Sequence, residues 1–300
     1  NLCLNGLGIS SGAGDNAIID VDDSNKVAVT DCNESKPGTI TGSGWYARGV
    51  YVTSGSTFTL WNGKLTGLYD MSGSSSYNIQ NGGGVRMNGG KFVMNGGSIS
   101  ARSTNGHGGV VYMYSGTFIM NAGSLSGKAL KGSGGAVYFE HGIFTMNGGT
   151  ITGKASETEK DNGSRGWAGH GGAVYNDGAT VTINGGTITG SSAVEGGGIY
   201  TNGGTLTIGK ANITDNTAAN GGGGIYAYNC ALTMDGTTVT GNNGGESLGG
   251  GIYISGAKGK GTASAPYIPA VIQNATIQNN TAKCGGGIST SGPVKISDTT

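Results

Sequence analysis

The sequence predicts an all-β protein: a single right-handed parallel β-helix with three strands per coil of about 26 residues, in about ten coils. Three observations predict it. A Gly-rich turn followed by Val or Ile, and usually Tyr, recurs at Val50, Val85, Val111, Val137, Val174, Ile199, Ile225, Ile252 and Ile288, in steps of 35, 26, 26, 37, 25, 26, 27 and 36. Each repeat holds short runs that alternate with period 2 between Gly and Asn turns, and no segment carries a helical period. Gly makes up 65 of 300 residues but Pro only 4, without a Gly at every third position, which excludes collagen. At 35% hydrophobic and 11% charged, the chain is also unlike a solvated disordered segment.

The elements follow in order. The branched residue marks the first strand. Seven residues later comes the second strand, at Phe92, Phe118, Phe144, Val181, Leu206 and Leu232, with Met94, Met120, Met146, Ile183, Ile208 and Met234 two positions on. Seven residues after the second-strand position comes the third strand, at Ile99, Leu125, Ile151, Ile188, Ile213 and Val239. One repeat cannot bury an apolar face alone, so each strand is expected to pair in parallel with its equivalent in the next repeat. The hand is inferred from the usual chirality of parallel crossovers. The first coil reads Ile18, Val27, Ile40 and the last Ile252, Val271, Ile277.

Residues 1–300 read as one such domain. Leu2-Cys3-Leu4-Asn5-Gly6 matches Phe144–Gly148, so the chain is expected to begin mid-coil, stop before a third strand, and be an excerpt of a longer surface protein capped elsewhere. The enlarged repeats place inserted loops at 66–84, 152–173 and 255–270.

Stacked repeats turn each position into a column. Asn95, Asn121, Asn147 and Asn184, with Asn274, share a turn position and read as a structural amide ladder. The residue after the branched one points outward and is Tyr51, Arg86, Tyr112, Tyr138, Tyr175, Tyr200, Tyr226 or Tyr253. Such a column either packs on itself or offers an aromatic platform to sugar rings or a partner. As a ligand-binding surface it names Tyr112, Tyr138, Tyr175, Tyr200 and Tyr226.

The search for catalysis finds little. A glycosidase needs two carboxylates about 5–9.5 Å apart. Glu140, Asp177, Glu195, Asp215 and Asp235 are read at different repeat positions, with no convincing pair. Gly106-His107-Gly108 and Gly169-His170-Gly171 resemble the Gly-His-Gly of polygalacturonases, but that family's Asn-Thr-Asp and Asp-Asp segments are missing and both histidines sit in the ordinary Gly turn. Asp20-Val21-Asp22-Asp23 reads as a solvated turn, and no metal site or cofactor is expected. Cys3 and Cys32 lie one coil apart, close enough to permit a disulfide, whereas Cys230 and Cys284 read as unpaired.

The most site-like feature is geometric. Loops 66–84 and 152–173 leave the same corner three coils, roughly 14 Å, apart. They are expected to wall a groove floored by Arg102 and His107, with Tyr69 on one wall and Glu157 and Trp167 on the other.

Gly-Gly-Ala-Val at 134–137 and 171–174, with Phe-x-x-Asn at Phe92/Asn95, Phe118/Asn121 and Phe144/Asn147, resembles the twin motifs of chlamydial polymorphic outer-membrane proteins. The phrase Phe144–Gly153 and the opening Leu2–Gly6 are still more similar to large repetitive surface proteins of Gram-positive gut bacteria. The resemblance implies a pectin-lyase-like β-helix on a bacterial cell surface, extracellular and often adhesive, and carries no catalytic residue over. The expected function is a non-catalytic surface rod, an adhesin or carbohydrate-binding module. Its expected partners are a glycan or host surface protein and the other domains of its parent chain. A polysaccharide lyase or glycoside hydrolase with its site between loops 66–84 and 152–173 is one alternative; a spacer without a ligand is another. Lys and Arg number 17, as do Asp and Glu, so nothing points to nucleic acid. No apolar run approaches the roughly 20 residues of a membrane span, so no membrane contact by this segment is expected.

Overall fold

The computed structural model describes residues 1–11, 17–33, 37–42, 48–70, 81–104, 106–156, 169–258 and 267–300. Among them there is no helix, and the strands form a 19-stranded sheet, a 12-stranded sheet and one two-stranded ribbon. The long sheet curls about 314° around an axis. This is a parallel β-helix.

The registers follow the repeat residue for residue. Val111 pairs with Val85 and Val137, Phe118 with Phe92 and Phe144, and Leu125 with Ile99 and Ile151, all in parallel. The insertion after Ile151 leaves the ladder intact, because Val137 still pairs with Val174 and Ile151 with Ile188. An insertion at a corner can extrude without moving the strands on either side.

The columns fill the core. Phe58, Phe92, Phe118 and Phe144 are fully buried, with ring centroids 5.5, 4.6 and 5.0 Å apart in succession. Each such burial contributes about 1.5–3 kcal/mol before packing terms. Two asparagine ladders tie successive turns. Asn121, Asn147 and Asn184 each donate to the preceding carboxamide at 2.7, 2.8 and 2.8 Å, as expected. Asn274 donates instead to Asp235, at 2.8 Å. The second ladder went unread in the sequence. Asn216 and Asn242 are buried, and Nδ2 of each donates to the next residue's Oδ1, at 3.0 Å to Asn242 and 2.9 Å to Asn280. Their amides also bond the Ile188 and Ile213 carbonyls, so the buried polar groups are satisfied.

Several boundaries differ from the sequence reading. Val85–Met94 and Val111–Met120 each run through what reads as first strand, turn and second strand. The supposed turns are bulges: Gly116 has φ 111°, and the register shifts beside it. Ile19, not Ile18, pairs with Val50. Two adjacent isoleucines give alternation no way to choose between them. In the Ala270-Val271-Ile272 run, Ile272 lies opposite Met234, so Ala270 and Ile272 face inward and Val271 does not. Leu2 lies opposite Val29, two positions from the match with Phe144, a slip that leaves the inward face unchanged. Within 255–270, Ala257–Lys258 pairs antiparallel with Tyr267–Ile268, and Ala270 already belongs to the next strand.

Candidate functional site

The third-strand sheet lengthens in the middle of the helix. Its members there are Lys64–Asp70, Ser98–Ser103, Ser124–Ala129 and Thr150–Lys154, so residues 66–70 and 152–154 are strand where the sequence suggests loop. Leu65, Ile99, Leu125 and Ile151 point into the core. The next residues face outward, placing Ser100, Ser126 and Thr152 in one column. Two positions on, Arg102, Lys128 and Lys154 form a second column, in register and exposed.

A bulge opens this surface. The pairing with Lys64–Asp70 slips between Ile99 and Ala101, where Gly67 has φ 65°. A cavity of about 370 Å³ lies there, bounded by Thr66, Ser100, Ser126, Arg102 and Lys128 over Gly127. A Cβ on Gly127 would stand 2.5 Å from the Gly135 carbonyl and 2.6 Å from Val110, so the floor requires glycine. Among the described residues lining the cavity none is acidic or aromatic.

The loops expected to wall a groove over Arg102 lie, at 71–80 and 157–168, outside the described residues. Arg102 lines the cavity. Tyr69 is in register with Arg102, and its side chain lies outside the described atoms. Glu157 and Trp167 lie outside the described residues. His107 is not on the floor. It is buried against the Tyr138 ring at 4.5 Å, and its Nδ1 accepts the Ser133 N–H at 3.0 Å. Burial pushes its imidazole down to about 4, so it is neutral near pH 7. The turn runs close under the tyrosine strand: a Cβ on Gly108 would stand 3.2 Å from the Tyr112 Cα.

The tyrosines pack on one another. From Tyr112 through Tyr138, Tyr175, Tyr200 and Tyr226 the ring centroids are 5.6, 4.7, 5.1 and 5.1 Å apart, all stacked. Tyr112, Tyr138 and Tyr200 are buried, while Tyr175 and Tyr226 are half-buried. The ring faces are therefore turned to neighbouring rings rather than outward. Burial pushes all five phenols up, Tyr175 to about 12, so they remain protonated donors. Tyr112 Oη donates to Glu140 at 2.6 Å, and Tyr138 Oη reaches Asp177 at 3.4 Å. Glu140 and Asp177 thus share one repeat position, three residues after the paired Val137 and Val174, correcting their separation in the sequence reading. Both carboxylates serve as acceptors for this column, Asp177 also for Asn202 Nδ2 at 3.0 Å. His170 stacks on Tyr200 at 4.6 Å and stands 3.2 Å from Glu195.

The sulfurs of Cys3 and Cys32 lie side by side at 2.8 Å as thiols. Their hydrogen bond holds the Cys3 thiol below its ordinary range and pushes that of Cys32 up. Cys230 is buried, its thiol raised by burial to about 12. Among the described residues no group of three His, Cys, Asp or Glu side chains could hold a metal ion, and no helix is long and apolar enough to cross a membrane. Lys128 and Lys154 escaped the sequence reading, although each follows its third-strand residue by three, as Arg102 does.

Neither a family model, nor a curated protein, nor a solved structure matches this chain.

Proposed function

We propose that the chain is a non-catalytic, extracellular surface rod of a bacterial cell, an adhesin or carbohydrate-binding module of the pectin-lyase-like kind, which binds glycan in the cavity of the third-strand sheet. The observation that carries this reading is that cavity. It is built on paired strands, so the backbone positions that carry its hydroxyl and cation columns are set before any ligand arrives. The resemblance to repetitive surface proteins supports the location and the choice of a glycan or host surface protein as partner. The stacked tyrosines support the rod and not the site, since their faces are occupied.

A glycan-array scan of residues 1–300, with host mucin glycans beside plant polysaccharides, tests the reading. Ser126→Trp, which fills the cavity from an exposed position, is expected to abolish the specific hits while the fold persists. Folded protein with no hit, or hits that Ser126→Trp leaves unchanged, overturns it.

A further inference from the structure

We infer that the ligand of this groove is a linear acidic glycan lying along the helix axis, its carboxylate or sulfate groups meeting Arg102, Lys128 and Lys154 in turn. The inference rests on the glycan-binding reading and adds the ligand's charge, direction and repeat.

The column is the first ground. Arg102 pairs with Lys128 and Lys128 with Lys154, which sets three exposed cations one above another at the strand spacing of about 4.8 Å. Like charges directly opposite on neighbouring strands are unfavourable. Lys128 stands in register between two of its own sign, Arg102 and Lys154. A ligand with negative groups at a comparable repeat converts the repulsion into attraction, with charge-assisted hydrogen bonds to each head group.

The lining is the second ground. Among the described residues that line the cavity none is aromatic or acidic, so they offer a neutral sugar no stacking face and a nucleic acid no platform for bases. They offer cations beside hydroxyls. Ser100, Ser126 and Thr152 run parallel to the cation column, two residues before it along each strand, and a hydroxyl both donates to and accepts from sugar hydroxyls. Two parallel columns, one charged and one hydroxylic, suit a chain with both kinds of group along its length. The columns run along the axis, so the ligand does too.

Dextran, carboxymethyl-dextran and dextran sulfate share one backbone and differ in charge, so they separate the claims. Binding of residues 1–300 to each is measured by calorimetry at low and high salt. The expected result is binding of one or both charged polymers, not of dextran, weakening as salt rises. The carboxymethyl and sulfate arms tell which anion is preferred. Lys128→Gln with Lys154→Gln should weaken binding at least about tenfold, the loss of a charge-assisted hydrogen bond or more. Lys283→Gln, on an exposed lysine outside the column, should leave it unchanged. Equal binding of dextran overturns the inference, as does insensitivity to the double substitution or an equal loss on Lys283→Gln. Inorganic polyphosphate binding as tightly as the charged dextrans overturns the glycan part. Neutral array hits that ignore Lys128 would refute the charge and leave the glycan reading standing; an array without hits refutes the glycan reading itself.

Discussion

Replacing Tyr138 with Ala separates a tyrosine column that builds the rod from one that binds a ligand. Its ring is 7% exposed and lies between Tyr112 at 5.6 Å and Tyr175 at 4.7 Å, with His107 against it at 4.5 Å. Truncating a buried aromatic to Ala costs about 3–5 kcal/mol, including the cavity left behind. The stacking contacts make up part of that, at about 0.5–1.5 kcal/mol each. The hydroxyl adds little, because its 3.4 Å reach to Asp177 is long for an O–H donor. Tyr138→Phe should therefore cost under about 1 kcal/mol. Denaturant unfolding followed by circular dichroism reads both variants. A repeat rod can lose its cooperativity near the lesion, so the transition is expected to broaden as well as shift. If Tyr138→Ala proves as stable as the parent yet loses glycan binding, the ring is a binding surface and the packing argument is refuted. Loss of binding accompanied by the full destabilisation would say nothing for a platform.

Four further outcomes follow from particular contacts. His107 is pushed down to about 4 from an ordinary value near 6.5, so the unfolded chain binds the proton more readily. Its contribution to stability is present above about 6.5 and is lost as pH falls toward 4, roughly 3 kcal/mol in all, and His107→Gln should flatten that part of the stability–pH curve. Gly135→Ala, whose Cβ would stand 2.3 Å from the Gly172 carbonyl and 2.4 Å from Lys154 backbone, should lower the unfolding midpoint sharply, and an unchanged midpoint would refute the close approach. Lys128→Gln should stabilise the unliganded rod by under about 1 kcal/mol at low ionic strength and by nothing measurable in 1 M salt, which calorimetric melting would read. A mild oxidant should join Cys3 to Cys32, removing two of the four titratable thiols, while Cys230 stays unreactive in the folded chain because it is buried. Mass spectrometry of the oxidised protein, showing any other linkage, would refute that pairing.

What could be read from the sequence and what could not divide along one physical line. The Phe118 and Leu125 columns were legible because successive repeats place an apolar residue at the same spacing, and a parallel ladder turns equal spacing into contact. Legibility failed where the local pattern was degenerate. Ile18-Ile19 and Ala270-Val271-Ile272 mark no face, and a face is decided by the neighbouring coil to which the strand pairs. It failed again where a polar residue has two uses. A tyrosine after an inward valine stands on the outer side by parity alone, yet stacking at 4.7 Å and the glycine turns above it take Tyr138 out of solvent.

The candidate site marks the sharper limit. Two insertions at one corner draw attention to Arg102, but the shape of the cavity beside it comes from a single extra residue, Gly67, that breaks register with Ile99–Ala101. A repeat specifies the rod by what is kept at every turn. A binding surface on such a rod has to be specified by what departs from the repeat, since a feature shared by all coils cannot select one place along the axis. Arg102, Lys128 and Lys154 meet that condition: the next strand places Ser192 opposite Lys154, ending the cation column after three members. Limited to neighbouring coils and set beside a bulged strand pair, the column has a length and a position, which a structural ladder would not need.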